Sequence, residues 1–264
     1  MTDTATLTSF PLEHGPRTGE TIVFLHGGNV GGWTWQPQVE LLPDRHLLTP
    51  DLPGYCSRAG ERWPGFTGAA DDVAELIRGR AVGGRAHVVG LSLGGFVATH
   101  LAWRHPELVR SVTISGVALA GYSGVERRIA RMQLPLWRRR WYWAAQVPLF
   151  GIPKAERGAF VDVATAPSAD TNARMLTEVT ERGLPDVPCP YRGAFLAVSG
   201  GRESKSIRRG FAPLCERAPQ LQTWVAPGMH HPWSQQDPEL FTRMVLAIAD
   251  DGVWPPATAT PAPR

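Results

Sequence analysis

The chain has 264 residues, of which 43% are hydrophobic and 19% are charged. These shares are ordinary for a globular protein and exclude a disordered or fibrous chain. The formal net charge is only +3, and because no basic face or binding motif accompanies the many arginines, we expect no nucleic-acid partner.

Short apolar strands alternate with helical segments along the first 115 residues. The run TIVFL is β-branched and aromatic, which is typical of a buried strand, and it leads into His26-Gly27-Gly28. Apolar residues with a helical period follow the first three strands. The pattern predicts strands at 21–25, 46–49, 86–91 and 109–115, and helices at 33–42, 66–78 and 94–104, with Thr67 as an N-cap.

The same alternation returns near the end of the chain. It predicts strands at 193–199 and 221–225 and helices at 206–217 and 238–249, the last helix being capped by Asp237. Such alternation indicates an α/β fold, in which a mostly parallel sheet carries helices on both faces.

The segment 117–190 breaks this alternation and is too long for one crossover helix. Loops of this length without structure of their own are uncommon, so we predict an inserted helical lid. The predicted organisation is therefore a core with this alternation at 1–116 and 191–253, the lid at 117–190, and a Pro- and Ala-rich tail at 254–264 that we expect to be disordered.

A candidate nucleophile lies in the pentapeptide GLSLG at 90–94. The Gly-x-Ser-x-Gly pattern is weak alone, but a predicted strand enters Ser92 and a predicted helix leaves it, which is the context of a nucleophile elbow. Because the helix begins at Ser92, its free N–H groups face any negative charge that forms there, and Leu93 N–H is one candidate oxyanion donor. A similar sequence at Ser123 has Val125 in place of the last glycine, and no strand leads into it.

A second oxyanion donor is expected in the loop that follows the first clear strand. His26-Gly27-Gly28 occupies that position, and we predict that the N–H of Gly28 is the donor. His26 is given a structural role, in which its hydrogen bonds hold the loop.

The chain resembles the α/β-hydrolase superfamily, and in particular its small lid-bearing serine esterases. The resemblance rests on FLHGGNVGGWTW, DLPG, VVGLSLGG and PGMHHPW, which together extend over nearly the whole chain. In that family the nucleophile is followed by an acid and then by a histidine. This order implies His231 as the base and Glu203, in place of the commoner aspartate, as the acid; Asp237 is interpreted as a helix cap.

A serine activated in this way has acyl transfer as its natural chemistry. The related haloalkane dehalogenases and epoxide hydrolases need an aspartate at the position of Ser92, so both are excluded. We predict a serine hydrolase that cleaves a carboxylic ester or lactone of a small molecule, with neither metal nor cofactor. The alternatives are a C–C bond hydrolase or lyase, an enzyme of a specialised-metabolite pathway, and a slow-turnover binding protein of the same fold.

The lid should govern substrate choice, because the substrate pocket should form where the lid meets the core. In the lid, arginines flank several aromatic residues, and we interpret them as solvated arginines on a helix that buries its tryptophans. The alternatives are contact of this surface with anionic lipid and a pocket for an aromatic or anionic substrate. The candidate pocket residues are Asn29, Trp33, Trp137, His230 and Trp233.

Cysteine usage and the amino terminus predict a cytoplasmic protein. Cys56, Cys189 and Cys215 are odd in number and widely spaced, which indicates free thiols rather than disulfides or metal ligands. The first ten residues lack the pattern of a signal peptide, and no run reaches the roughly 18 apolar residues of a membrane span. No pattern indicates an oligomeric state.

Overall fold

A computed structural model describes residues 4–150, 152, 154–181 and 183–254. Its centre is a seven-stranded sheet with the strand order β1-β3-β2-β4-β5-β6-β7. All neighbouring strands are parallel except β1, which pairs antiparallel with β3 at the edge. The strands are β1 (Glu13–His14), β2 (Thr21–Leu25), β3 (His46–Leu48), β4 (Ala86–Leu91), β5 (Val109–Ser115), β6 (Ala194–Gly200) and β7 (Leu221–Ala226).

Helices precede, connect and follow these strands. Those of the core are α1 (Thr4–Thr8), α2 (Gln36–Leu41), α3 (Gly65–Arg80), α4 (Leu93–Arg104), α9 (Lys205–Arg208), α10 (Phe211–Arg217), α11 (Trp233–Gln236) and α12 (Pro238–Leu246). Segment 117–190 contains α5 (Gly124–Gln133), α6 (Arg140–Gln146), α7 (Arg157–Thr165) and α8 (Ala169–Glu181), joined in part by 3₁₀ turns.

The central strands are buried on both faces, which explains their near-continuous apolar sequences. In β2, Val23 and Leu25 pack into one hydrophobic cluster with α3 and α4, whereas Ile22 and Phe24 pack into a second cluster with α12. Side chains of a strand alternate between its two faces, so these two clusters lie on opposite sides of the sheet. The predicted α/β architecture, with helices on both faces, is confirmed.

Several predicted element bounds differ from the structure. Thr67 lies inside α3, whose N-cap position is Pro64 and has no side-chain cap. The helix predicted at 206–217 is two short helices, and Gly210, at the break between them, packs closely against Leu119. Asp237 caps α12 as predicted, since its Oδ1 accepts a hydrogen bond of 3.0 Å from Leu240 N–H.

The last described residue, Trp254, does not belong to a disordered tail. Its ring packs against Trp224 with the centroids 5.2 Å apart, and its backbone N–H donates to Gln222 Oε1 at 2.7 Å. The rest of the predicted tail, 255–264, lies outside the described residues.

The segment 117–190, inserted between β5 and β6, contacts the core through helix α8. Glu178 Oε2 accepts a hydrogen bond of 2.6 Å from Trp63 Nε1, and burial raises the pKa of this carboxyl group. Met175, one turn earlier, reaches the loop after β2 and lies beside Gly28. The insertion therefore touches the part of the core that carries the candidate oxyanion donor.

The three cysteines are free thiols, with Cys56 and Cys189 buried and Cys215 exposed. In the part of the chain that the structure describes, no helix combines the length and the apolar character that crossing a bilayer requires.

Stability is expected to fall on acidification because of three histidines, of which two are buried and one is half-buried. Burial lowers the pKa of His26, His87 and His100 below 6.5, so each stays neutral in the folded chain but takes up a proton in the unfolded chain. The unfolded chain then binds more protons at acid pH. Stability that is fully present well above the unfolded pKa is therefore lost as the pH falls through it, by up to about 1.4 kcal/mol per pH unit for each histidine.

Urea unfolding at about pH 7.5, 6.5 and 5.5 measures this loss above the range in which ordinary carboxylates titrate. The raised pKa of Glu178 acts in the opposite direction and would only reduce the measured loss. An unfolding free energy that stays constant over these three pH values would contradict the prediction.

Candidate active site

Ser92 lies on a sharp turn between β4 and α4. Its backbone has φ 53° and ψ −115°, a conformation that residues with a side chain rarely adopt. Ser92 N–H donates to Ser115 O on the neighbouring strand at 2.8 Å, and its own carbonyl accepts from Gly95 N–H at 2.9 Å. The fold thus holds the strained residue from both sides, with its half-buried side chain at the border of a cavity.

The start of α4 passes very close to β2. Gly94 N–H donates to His26 O at 3.0 Å, and a Cβ atom on Gly94 would lie only 2.2 Å from Leu25 O. Only glycine allows this approach, which explains the last glycine of the Gly-x-Ser-x-Gly pattern.

The loop after β2 is oriented by a buried histidine. Leu52 N–H donates to His26 Nε2 at 2.8 Å, so the ring proton sits on Nδ1, which donates to Gly27 O at 2.7 Å. The C=O and N–H of one trans peptide point in opposite directions, so this bond turns Gly28 N–H away from His26. A Cβ on Gly27 would lie 3.5 Å from Ser92 Cβ, which places the loop beside Ser92.

Two backbone N–H groups near Ser92 are available to an oxyanion. The N–H of Leu93 is at the first position of α4, where a helix provides no internal acceptor. Neither Leu93 N–H nor Gly28 N–H donates to any group of the described residues. Together they can stabilise negative charge on an oxygen next to Ser92.

Glu203 and His231 meet where the loops after β6 and β7 come together. Glu203 Oε1 is 2.5 Å from His231 Nδ1, and Oε2 accepts from Gly200 N–H at 2.5 Å. The glutamate side chain is only 2% exposed, whereas that of the histidine is 43% exposed. A carboxylate bound to Nδ1 leaves Nε2 free to take a proton from a hydroxyl group.

Ser92 and His231 border the same cavity. The Ser92 hydroxyl forms no hydrogen bond with another described residue, and hydrogen bonds between such groups are often long before a substrate binds. The structure therefore brings the three predicted residues to one place, with the shortest contact between the acid and the imidazole.

Gly116 makes room for this contact, and sequence analysis did not single it out. It directly follows β5 and has φ +69°. A Cβ atom there would lie 2.8 Å from the Nδ1 and Cε1 atoms of His231 and 2.9 Å from Glu203 Oε1. A glycine at the carboxyl end of a parallel strand is the signal that could have indicated it, because active sites of such sheets lie at that edge.

Comparison with known proteins decides the family. Residues 22–244 match the model of the Alpha/beta hydrolase family. The chain belongs to this family. The hydrolase is 29% identical to an "AB hydrolase superfamily protein" of Gibberella zeae, over 93% of its own length and 84% of the relative.

Other relatives match a smaller part of the hydrolase or share only its fold. It is 34% identical to the pimeloyl-[acyl-carrier protein] methyl ester esterase of Vibrio vulnificus, over 42% of its own chain and 44% of that enzyme. A thermophilic esterase from Thermogutta terrifontis superposes with a TM-score of 0.68 at 21% identity, over 91% of this chain and 92% of that one. At this identity the likeness of the structures shows the fold alone.

The cavity at Ser92 has a volume of about 750 Å³. Gln146 and Pro148, from the inserted segment, border it together with residues of the core. Its apolar lining includes Phe96, Val179 and Ile207, and its polar lining includes Arg202, His230, Gln235 and Gln236. The hydrolase thus offers one cavity with an apolar part and a polar part next to the serine.

Among the five candidate pocket residues, only His230 borders this cavity. Trp233 is fully buried in the core, where its Nε1 donates to Ser115 Oγ at 2.8 Å. Trp33 packs edge-on against Phe160 of the inserted segment. These two tryptophans pack in the protein interior and do not border the cavity.

The remaining two candidates also lie elsewhere. Trp137 is half-buried in hydrophobic clusters, and its carbonyl accepts a hydrogen bond from Trp143 Nε1. The side chain of Asn29 is buried, and its Nδ2 donates to Ala164 O at 3.0 Å. None of these four residues is among those that line the cavity at Ser92. Asn29, Trp33 and Trp233 were candidates because they are close in sequence to site residues, which does not determine where a side chain points.

Replacing Gly116 by alanine is expected to lower kcat. The new Cβ would displace His231 from Glu203, since the buried glutamate cannot move as easily as the half-exposed imidazole. Displacement of the base should cost about 10- to 100-fold in kcat, less than the roughly 10²- to 10⁴-fold effect of general acid–base catalysis, because the imidazole is moved and not removed.

Gly19→Ala is the matched control for this substitution. Gly19 has the same φ of +69°, but a Cβ there meets no atom within 4 Å. Both variants should lose about 1 kcal/mol of stability from backbone strain, whereas only Gly116→Ala should lose activity. Equal kcat values for Gly116→Ala and the wild type would count against the geometry.

Proposed function

We propose that this α/β-hydrolase cleaves a carboxylic ester or lactone through an acyl-enzyme formed at Ser92. The observation that carries the proposal is the Glu203–His231 pair, which borders the same cavity as Ser92 on its strained turn. A serine hydroxyl is a poor nucleophile until a neighbouring base accepts its proton.

In the proposed reaction, Ser92 Oγ attacks the carbonyl carbon while its proton passes to His231 Nε2. Glu203 holds the proton on Nδ1 and stabilises the imidazolium that forms. The oxyanion of the tetrahedral intermediate accepts hydrogen bonds from Leu93 N–H and Gly28 N–H. His231 then protonates the leaving alcohol, and a water molecule activated by the same imidazole hydrolyses the acyl-enzyme.

The cavity supports an acyl group of moderate size with a polar end. Phe96, Val179 and Ile207 provide an apolar lining for methylene groups. Arg202 lies near His230, with Nη1 3.3 Å from the imidazole Nε2, and provides a positive charge at the polar end. The name of the Vibrio relative, a methyl ester esterase, is consistent with an ester as the substrate.

Labelling with a fluorophosphonate probe tests the proposal directly. The folded protein should react at Ser92, and prior labelling should abolish the turnover of p-nitrophenyl acyl esters. A panel of esters with increasing acyl length then measures how much of the cavity the substrate fills. Absence of labelling in folded protein would reject the acyl-enzyme, and labelling with negligible turnover of every ester would favour the slow-turnover binding protein.

A further inference from the structure

In the side-chain amide of Asn172, on α8, the oxygen has a hydrogen-bond partner among the described residues and the NH₂ group has none. Its side chain is 2% exposed, and its Oδ1 accepts a hydrogen bond of 3.3 Å from Asn29 Nδ2. The same Nδ2 also donates to Ala164 O at 3.0 Å, and a carbonyl can only accept, which establishes the orientation of the Asn29 amide. Asn172 must therefore present its oxygen to Asn29 and turn its own NH₂ group away.

That NH₂ group donates to no described residue, and its nitrogen is not among the fully buried atoms without a partner. Asn172 borders a second cavity, of about 630 Å³, between the 3₁₀ turn Leu134–Arg138 and the first turns of α8. The cavity is distinct from the one at Ser92, with no lining residue in common. A donor on a largely buried side chain, with no acceptor among the described residues, is therefore available to a ligand in this cavity.

The charges around this second cavity are positive. Arg138 and Arg139 border it, and neither forms an ion pair with a carboxylate of the described residues. Ala169, the first residue of α8, also borders the cavity, so the positive end of the helix dipole faces it. The nearest acidic residue in sequence, Asp170, is neutralised by Arg62 and Arg174, whose Nε atoms lie 3.0 and 2.9 Å from its Oδ2.

We propose that this cavity binds an anionic group of the phosphate type, held by the two guanidinium groups and by the free amide NH₂ of Asn172. Arginine presents paired N–H donors that match the oxygens of such an anion, and a helix N-terminus favours the same charge. Asn172, which would bind the occupant, also accepts a hydrogen bond from Asn29, in the loop that carries Gly28. The cavity thus forms a second binding site that is connected to the candidate oxyanion donor.

Calorimetric titration with inorganic phosphate at constant ionic strength tests the site. The wild type should bind phosphate, and the double variant Arg138→Gln/Arg139→Gln should bind it at least about tenfold more weakly because both charged donors are lost. The double variant Arg128→Gln/Arg131→Gln removes the same charge from exposed positions of α5 outside the cavity, and should bind phosphate like the wild type.

A third variant tests the amide without removing the contact that Asn29 needs. Asn172→Asp keeps an oxygen towards Asn29 but replaces the NH₂ donor by a negative charge, so phosphate binding should be lost. Equal affinities of the wild type and the Arg138/Arg139 variant, or an equal loss in the Arg128/Arg131 variant, would overturn the proposal. Failure of the wild type to bind phosphate would do the same.

Kinetic measurements distinguish a free anion from an anionic end of the substrate, and only this arm rests on the proposed function. With a free anion, phosphate changes the turnover of a neutral p-nitrophenyl ester, and the Arg138/Arg139 variant loses that response. With an anionic substrate, the same variant raises KM for esters that carry a phosphate and leaves KM for neutral esters unchanged. Failure of the proposed function would leave the calorimetric result intact, so the two failures can be told apart.

Discussion

Ser92→Ala is expected to lower kcat/KM for an acyl ester by about 10⁴- to 10⁶-fold, which is the loss seen when a triad nucleophile is removed. Fluorophosphonate labelling should disappear at the same time. The fold should be retained, because alanine at φ 53° carries the same backbone strain as serine and removes a hydroxyl group without a hydrogen bond among the described residues. Steady-state kinetics together with a thermal unfolding curve separate the loss of chemistry from a loss of structure.

Ser123→Ala is the control for this substitution. Ser123 lies in the Gly-Tyr-Ser-Gly sequence that resembles the elbow motif, but its side chain forms a capping box with Glu126 at the start of α5. Its replacement should cost about 1 kcal/mol of stability and leave labelling and turnover intact. Comparable turnover in Ser92→Ala and in the control would reject Ser92 as the nucleophile.

Glu203→Gln is expected to lower kcat by about 10²- to 10⁴-fold while the protein stays folded. The glutamine has the same size, but its NH₂ group can donate a hydrogen bond to Nδ1 of His231. This favours the tautomer with the ring proton on Nε2, which cannot act as a base at that atom. Because Glu203 is 2% exposed, water cannot replace the lost carboxylate. The pH profile of kcat should change as well, since the imidazolium loses its counter-charge.

Asp237→Asn is the matched control, because it makes the same change from carboxylate to amide at the acidic residue that follows His231 most closely in sequence. Asparagine caps helices as well as aspartate does, so both stability and activity should stay close to those of the wild type. Glu203→Asp should restore part of the activity if the shorter carboxylate reaches Nδ1. Retention of more than about a tenth of kcat in Glu203→Gln would contradict its proposed role, given the size of known general-base effects.

The elbow at Ser92 could be predicted because its parts are local. The strand 86–91 was predicted with the bounds that β4 has, and the predicted start of the next helix differs from that of α4 by one residue. A run of apolar β-branched residues, a turn with small residues and a helical period lie within about 20 positions of one another. Each of these elements is determined by near neighbours, which is where sequence patterns are most reliable.

The partners of Ser92 depended on more than local patterns. Glu203 and His231 were chosen from the order of residues in related proteins, and nothing in their local sequence shows that Oε1 and Nδ1 meet. That contact depends on the parallel pairing of β5, β6 and β7, whose carboxyl ends bring three loops together. The lack of a side chain at Gly116 matters only because His231 and Glu203 come together beside it.

The sequence alone determined the fold class, the position of Ser92 on its turn and the loop that carries Gly28, because apolar periodicity and glycine placement act over short distances. Only the tertiary structure decided which side chains border the cavity. Trp233 is two residues from His231 but packs into the core, whereas Arg202 and Gln235 border the cavity. The direction of a side chain follows from the packing of elements that are distant in sequence, and no pattern within one segment contains that information.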